Sequence, residues 1–205
     1  SAAALNLHNK FLALLFSAQQ PGEFVRLYAP ATEAKHLRRN VRFTMKSYLA
    51  CAYEAMGKND KALSVLGAMP EQKGARQRQA QAIIAAQRCG VYLSMGKLDK
   101  ARQEYQALQA AGSSAVKEQT VELLRIRIAL AEGKSTKKDE AYVLLAISKA
   151  ATLLQKNELK LLLGRIYAQM GESELSAAYL KEVSACPKEL HITADAKSEL
   201  ARLAK

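Results

Sequence analysis

The sequence has no tryptophan, and only 6% of its 205 residues are aromatic. Sandwich and barrel cores that rest on aromatic and β-branched alternation are therefore a poor fit. It has only three cysteines, Cys51, Cys89 and Cys186, an odd and widely spaced set. This excludes a disulfide framework and suits a reducing compartment, so a cytoplasmic location is expected. Long apolar runs are missing too: the longest, Phe11 to Phe16, is far too short to span a bilayer, and no signal peptide is visible. The sequence opens Ser1-Ala2-Ala3-Ala4 and its first methionine is Met45, so an anchor preceding this soluble stretch stays open. The three histidines, His8, His36 and His191, are isolated, and no Cys/His spacing resembles a metal site. Gly112-Ser113-Ser114 is too short for a phosphate loop and lacks its lysine. Neither a cofactor nor catalysis is expected.

What is present favours helix. Hydrophobic residues make up 49% of the chain, and Ala, Leu, Gln, Lys and Glu dominate. The net charge is +12, and the first 95 residues carry +8 of it. Such a bias raises encounter rates with acidic proteins, anionic lipid surfaces or nucleic acid without choosing among them.

The strongest signal is a repeat. Leu163-Gly164-Arg165-Ile166-Tyr167-Ala168-Gln169-Met170-Gly171 is echoed at 49–57, 88–96 and 125–133. The closing glycines Gly57, Gly96, Gly133 and Gly171 stand 39, 37 and 38 residues apart. Each closes a long helical pattern and precedes a second one. Helices are predicted over about 37–56, 75–95, 115–132 and 158–170, with partners over about 60–69, 99–111, 139–154 and 173–186. Asn59 or Asp60, Ser173 and the serines after Gly112 are the expected caps. A helix over about 5–19, carrying Leu5, Phe11, Leu12, Leu15 and Phe16, is stopped by Pro21-Gly22, and a short one runs from Glu23 to Tyr28. A last helix, Thr193 to Leu203, closes the chain. In the third pair the small residue of the second helix is assigned to Ala141, eight after Gly133 instead of five, which gives a turn enlarged by three residues.

Two antiparallel helices joined by a tight turn need a small residue at their closest approach, a large residue reaching across, and glycine at the bend. Gly164, Tyr167 and Gly171 supply these, and Tyr53 and Tyr92 repeat the tyrosine four residues before the glycine. With Leu163 and Pro187 added, the pattern resembles the tetratricopeptide repeat over about 38–190, with Ser176 in place of the usual later alanine. The first repeat matches at Leu49, Ala50, Tyr53, Gly57 and Ala62, and the second at Tyr92, Gly96 and Ala101. The third has Ala129 in place of the tyrosine.

The resemblance implies an all-α fold, a right-handed superhelix of four to five antiparallel helix pairs. It would comprise an irregular pair at 1–37, repeats at about 38–74, 75–113, 114–155 and 156–190, and a capping helix at 191–205. It also implies a non-catalytic scaffold whose first helices line a concave groove for a partner's peptide or helix. Taking the groove-facing position as six residues before each turn glycine selects Cys51, Gly90, Arg127 and Arg165. Arg127 and Arg165, with Gln169 one turn beyond the latter, could then grip an acidic ligand through paired hydrogen bonds. The family's carboxylate clamp is not reproduced, since Ser47, Cys51, Ala86 and Gly90 stand there. The alternative is a basic module at an anionic surface, membrane or nucleic acid, through Arg38, Arg39, Arg42 and Lys46, with Lys73, Arg76 and Arg78 nearby. A nucleic-acid site should add stacking aromatics or a reading element, and neither is present, so nucleic acid is not the expected partner. Self-association as a homodimer stays open.

Overall fold

A computed structural model describes residues 2–112 and 116–204, with side chains from residue 6 onward in the first helix. The expected cap at Ser113 or Ser114, the expected helix start at Ala115 and the Leu5 side chain lie outside the described residues. Eleven helices and no strand are found among the described residues. They are α1 (Ala2–Phe16), α2 (Pro21–Thr32), α3 (Arg39–Ala55), α4 (Asn59–Gly67), α5 (Ala75–Ser94), α6 (Leu98–Ala111), α7 (Glu118–Ala131), α8 (Lys137–Ser148), α9 (Leu153–Gln169), α10 (Ser173–Ser184) and α11 (His191–Leu203). The chain is an all-α helical repeat. No helix among the described residues is long and apolar enough to cross a membrane.

The repeated turn has one backbone solution. Gly57, Gly96, Gly133 and Gly171 all have positive φ, between 69° and 79°, where a side chain would be strained. At three of them the N–H after the glycine donates to the carbonyl of the signature tyrosine: Lys58 to Tyr53, Lys97 to Tyr92 and Glu172 to Tyr167, at 2.8–2.9 Å. These bonds close a Schellman motif and satisfy helix-end carbonyls.

The chain divides into two compact units. Unit 2 is residues 28–132, and unit 1 combines residues 1–27 with 133–205. In unit 2, α5 packs against α3, α4, α6 and α7. Its alanines make that possible: Ala82, Ala85, Ala86 and buried Cys89 meet Ala101, Leu108 and Leu124 in one cluster. Ala50, Ala62, Leu66 and Val91 form another.

In unit 1, α9 packs against α8, α10, α11 and α1. Consecutive Leu161, Leu162 and Leu163 are all buried, which places apolar contacts on several faces of one helix. Gly164 admits Leu180 of α10: a methyl group there would lie 3.0 Å from the Leu180 side chain. Residues 1–27 belong to the same compact unit as residues 133–205. Leu15 and Phe24 are fully buried, the Gly22 N–H donates to the Glu189 carboxylate at 3.1 Å, and Asn157 donates to buried Gln19 at 2.9 Å. Gln19 holds a φ of 55°, a conformation non-glycine residues keep only when their surroundings impose it.

Several local expectations shift. The first helix, expected to be stopped by Pro21-Gly22, already ends at Phe16, and Pro21 starts α2, as suits proline in a first turn, while α2 continues through Pro30. Asn59 and Ser173 sit inside α4 and α10, whose N-cap residues Lys58 and Glu172 make no side-chain cap. Thr136 and Asp139 form a capping box that starts α8, and Thr152 caps α9, so that helix begins five residues earlier than its apolar pattern suggests. The capping box sets the phase of α8. Asp139, Val143 and Ala146 are buried with the spacing of Ser176, Leu180 and Val183, and Ala141 is exposed. The enlarged turn therefore adds one residue to the repeat phase, not three.

Candidate functional site

The positions six residues before the turn glycines fall into different surroundings in the two units. In unit 2, α3, α5 and α7 supply a shared polar face. Arg127 Nη2 donates to the Gly90 carbonyl and to Ser94 Oγ, both at 3.1 Å. Gly90 lets neighbouring side chains close in: a methyl group there would lie 3.2 Å from Glu54 Oε1 and 3.4 Å from Arg127 Nη1. Side chains from α3 and α7 thus meet over bare backbone of α5. One turn earlier, Gln87 Nε2 donates to the Ser47 carbonyl and Cys51 Sγ, each at 3.1 Å, while its Oε1 is buried without a hydrogen-bond partner. Cys89, next to Gly90, turns into the core, and burial pushes its thiol up to about 11, so it is a packing residue and not a nucleophile. The face therefore offers one carboxylate, one guanidinium and neutral donors and acceptors, which suits recognition of a polar chain.

In unit 1, Arg165 is engaged by the last helix. Its Nε donates to Glu199 Oε1 at 2.6 Å and its Nη2 to Asp195 Oδ2 at 2.8 Å. Gln169 Oε1 accepts the Ser135 N–H at 2.9 Å and so holds the turn before α8. The signature Tyr167 donates to Glu140 Oε1 at 3.0 Å and stacks on Tyr179. Burial, and then that hydrogen bond, push the Tyr167 phenol up to about 12. Lys137, and then Tyr167, hold the Glu140 carboxyl below its ordinary value.

The basic residues near the start of α3 separate into two kinds. Arg42 donates to the Thr32 and Ala34 carbonyls at 3.2 and 2.8 Å, so it closes the end of α2. Lys46 pairs with Glu33 at 3.2 Å and holds that carboxyl below its ordinary value. Arg38 and Arg39 are exposed, as are Lys73, Arg76 and Arg78. Among the described residues no three His, Cys, Asp or Glu side chains gather as a metal site, and none of the three cysteines forms a disulfide. The members of the unit 2 face that sequence reasoning did not single out are Glu54, Gln87 and Ser94. Helical spacing was their available signal, since 47, 51 and 54 share one face of α3, and 87, 90 and 94 one face of α5.

The hairpin of α9 and α10 carries every element of the repeat: the small Gly164 under Leu180, Tyr167 over the turn, and positive-φ Gly171. Residues 158–184 match the tetratricopeptide repeat family. The chain carries a tetratricopeptide-like repeat. Its turn geometry recurs at Gly57 and Gly96, so the likeness in backbone extends beyond the matched hairpin. No curated protein and no solved structure matches the chain. Tetratricopeptide repeats are protein–protein interaction modules and are generally non-catalytic.

Proposed function

We propose that the chain is a non-catalytic adaptor that binds a peptide or helix of a partner protein on the inner face of its first helices, with Arg127 as the principal polar contact. The observation that supports this is the convergence of Glu54, Gln87, Gly90 and Arg127 from three successive repeats on one face. Arg127 donates there to a carbonyl and a hydroxyl, with the Glu54 carboxylate nearby, and an acidic ligand group would compete for it through charge-assisted hydrogen bonds, which are stronger than neutral ones. Arg165 already has two carboxylates and serves to hold α11, and Gln169 holds a turn. An acidic peptide is thus read by unit 2 and not by two arginines in series.

Differential capture tests the reading. Proteins retained from source lysate by the immobilised chain are compared with those retained by its Arg127→Glu and Arg165→Ala variants. A partner held by the parent and by Arg165→Ala, and lost at least tenfold with Arg127→Glu, is the expected result. A partner whose retention is unchanged in Arg127→Glu removes the assignment.

A further inference from the structure

The second helix of each repeat buries one side and presents the other to solvent. At the two positions after the middle core-facing residue (Leu66, half-buried Tyr105 and Leu180), α4 and its C-cap have Gly67 and Ala68, α6 has Gln106 and Ala107, and α10 has Lys181 and Glu182, all exposed. The same two positions on α8 are Leu144 and Leu145, exposed by 38% and 52%. The repeat does not need them, since Asp139, Val143 and Ala146 already fill the buried side. Around them, the exposed residues of α8 are Lys137, Lys138, Ala141, Ser148 and, at its end, Lys149, with no acid. Glu140 is turned aside to Tyr167 and Lys137. Lys138 and Lys149 have no ion pair among the described residues, and eleven residues of helix separate them by about 16 Å.

From this arrangement we infer that the outer face of α8 is a contact for an anionic lipid surface, with Leu144 and Leu145 entering the headgroup–acyl boundary and Lys138 and Lys149 flanking them at the phosphates. Two features select a bilayer over a protein. The two leucines are exposed on a helix whose exposed charges are all lysines, the charge complement of an anionic headgroup layer. They also form a patch far smaller than the roughly 800 Å² per partner of a standard protein interface. Lysines suit the role because their aliphatic stems lie along apolar surface while the ammonium reaches the headgroups. The inference is independent of the face proposed for partner binding, which lies on first helices.

The test is co-sedimentation with vesicles of phosphatidylcholine and phosphatidylserine at 7:3, and of phosphatidylcholine alone, in 0.1 M salt. The full chain should partition onto the anionic vesicles and not the neutral ones. Leu144→Ser/Leu145→Ser should weaken partitioning at least tenfold, and Lys138→Gln/Lys149→Gln about 25-fold, near fivefold per lysine. Leu175→Ser, at a comparably exposed leucine on α10 beside Glu174, should change nothing. Because the sequence has no tryptophan, Leu145→Trp supplies a single reporter whose emission should shift blue on anionic vesicles and be quenched by brominated acyl chains. Absence of partitioning, partitioning undiminished in the double leucine variant, or an unmoved Trp signal overturns the inference. Binding of a deca-glutamate peptide with the same leucine dependence, without vesicle binding, assigns the face to an acidic protein and equally overturns it.

Discussion

Arg127 and Arg165 stand six residues before the turn glycines of consecutive repeats, yet the two units use them differently. In unit 1 the guanidinium is spanned by two carboxylates from α11, thirty and thirty-four residues further along. In unit 2 it rests on a carbonyl and a serine. The glycines beside them differ in the same way. Gly164, seven residues before its turn glycine, meets Leu180, whereas Gly90, six before its own, meets only the flexible ends of Glu54 and Arg127. The same register position is thus held by two carboxylates of a further helix in unit 1, and by neutral groups of a neighbouring repeat in unit 2.

The sharpest way to break this comparison is to add a methyl group at each glycine. Gly164→Ala drives a Cβ against Leu180 and should cost about 1–2 kcal/mol, after allowing for alanine's better helix propensity. Gly90→Ala meets only movable side-chain ends and should leave stability unchanged or raise it by up to about 1 kcal/mol, while shifting Glu54 and Arg127 and altering partner binding. Thermal melts of the two variants decide it, and equal losses would erase the distinction between filled and open positions.

Next in size are the arginines. Arg165→Ala removes two half-exposed ion pairs and should cost about 1 kcal/mol, shrinking in 0.5 M salt. Arg127→Ala should cost roughly half as much, because the groups it donates to are neutral. A larger loss at Arg127 would make it the structural residue of the two.

The smallest effect is the pH dependence that the Tyr167–Glu140 pair gives unit 1. The Tyr167 phenol is raised in the folded chain, so its contribution is full below the unfolded value of about 10 and is lost as pH rises through about 12. Glu140 is depressed, so its contribution is present above the unfolded value of about 4.3 and fades as pH falls through its folded value. Tyr167→Phe should therefore show a shallower loss of melting temperature between pH 10 and 12 than the parent. Identical alkaline profiles would show that neither burial nor the hydrogen bond to Glu140 ties the Tyr167 phenol to stability.

How much of this was legible follows from the range over which each feature is decided. The turn glycines could be read because a positive φ leaves one residue type without strain, and Tyr53, Tyr92 and Tyr167 because they keep a fixed distance from those glycines. The capping box at Thr136 and Asp139, and the cap at Thr152 followed by Gln155, were also readable, and reading them would have set the phase of α8 and the start of α9. Arg42 was not. Its spacing with Arg38 and Lys46 suggested an outward ridge, but only the end of α2 beside it shows that it closes carbonyls. Arg165 likewise depends on Asp195 and Glu199, and no local pattern links the three.

The bond between Gln19 and Asn157 joins residues 138 apart, and the whole of unit 2 lies within the loop it closes. Ordinary repeat arrays form by adding neighbours, and any repeat can begin the process. Here one contact must wait for distant chain segments to find each other, at a closure cost of about 4 kcal/mol for a loop of that length. Assembly of unit 1 is consequently non-local even though every helical hairpin in it is local, and a chain cut after residue 132 would leave its first 27 residues without the surface they fold against.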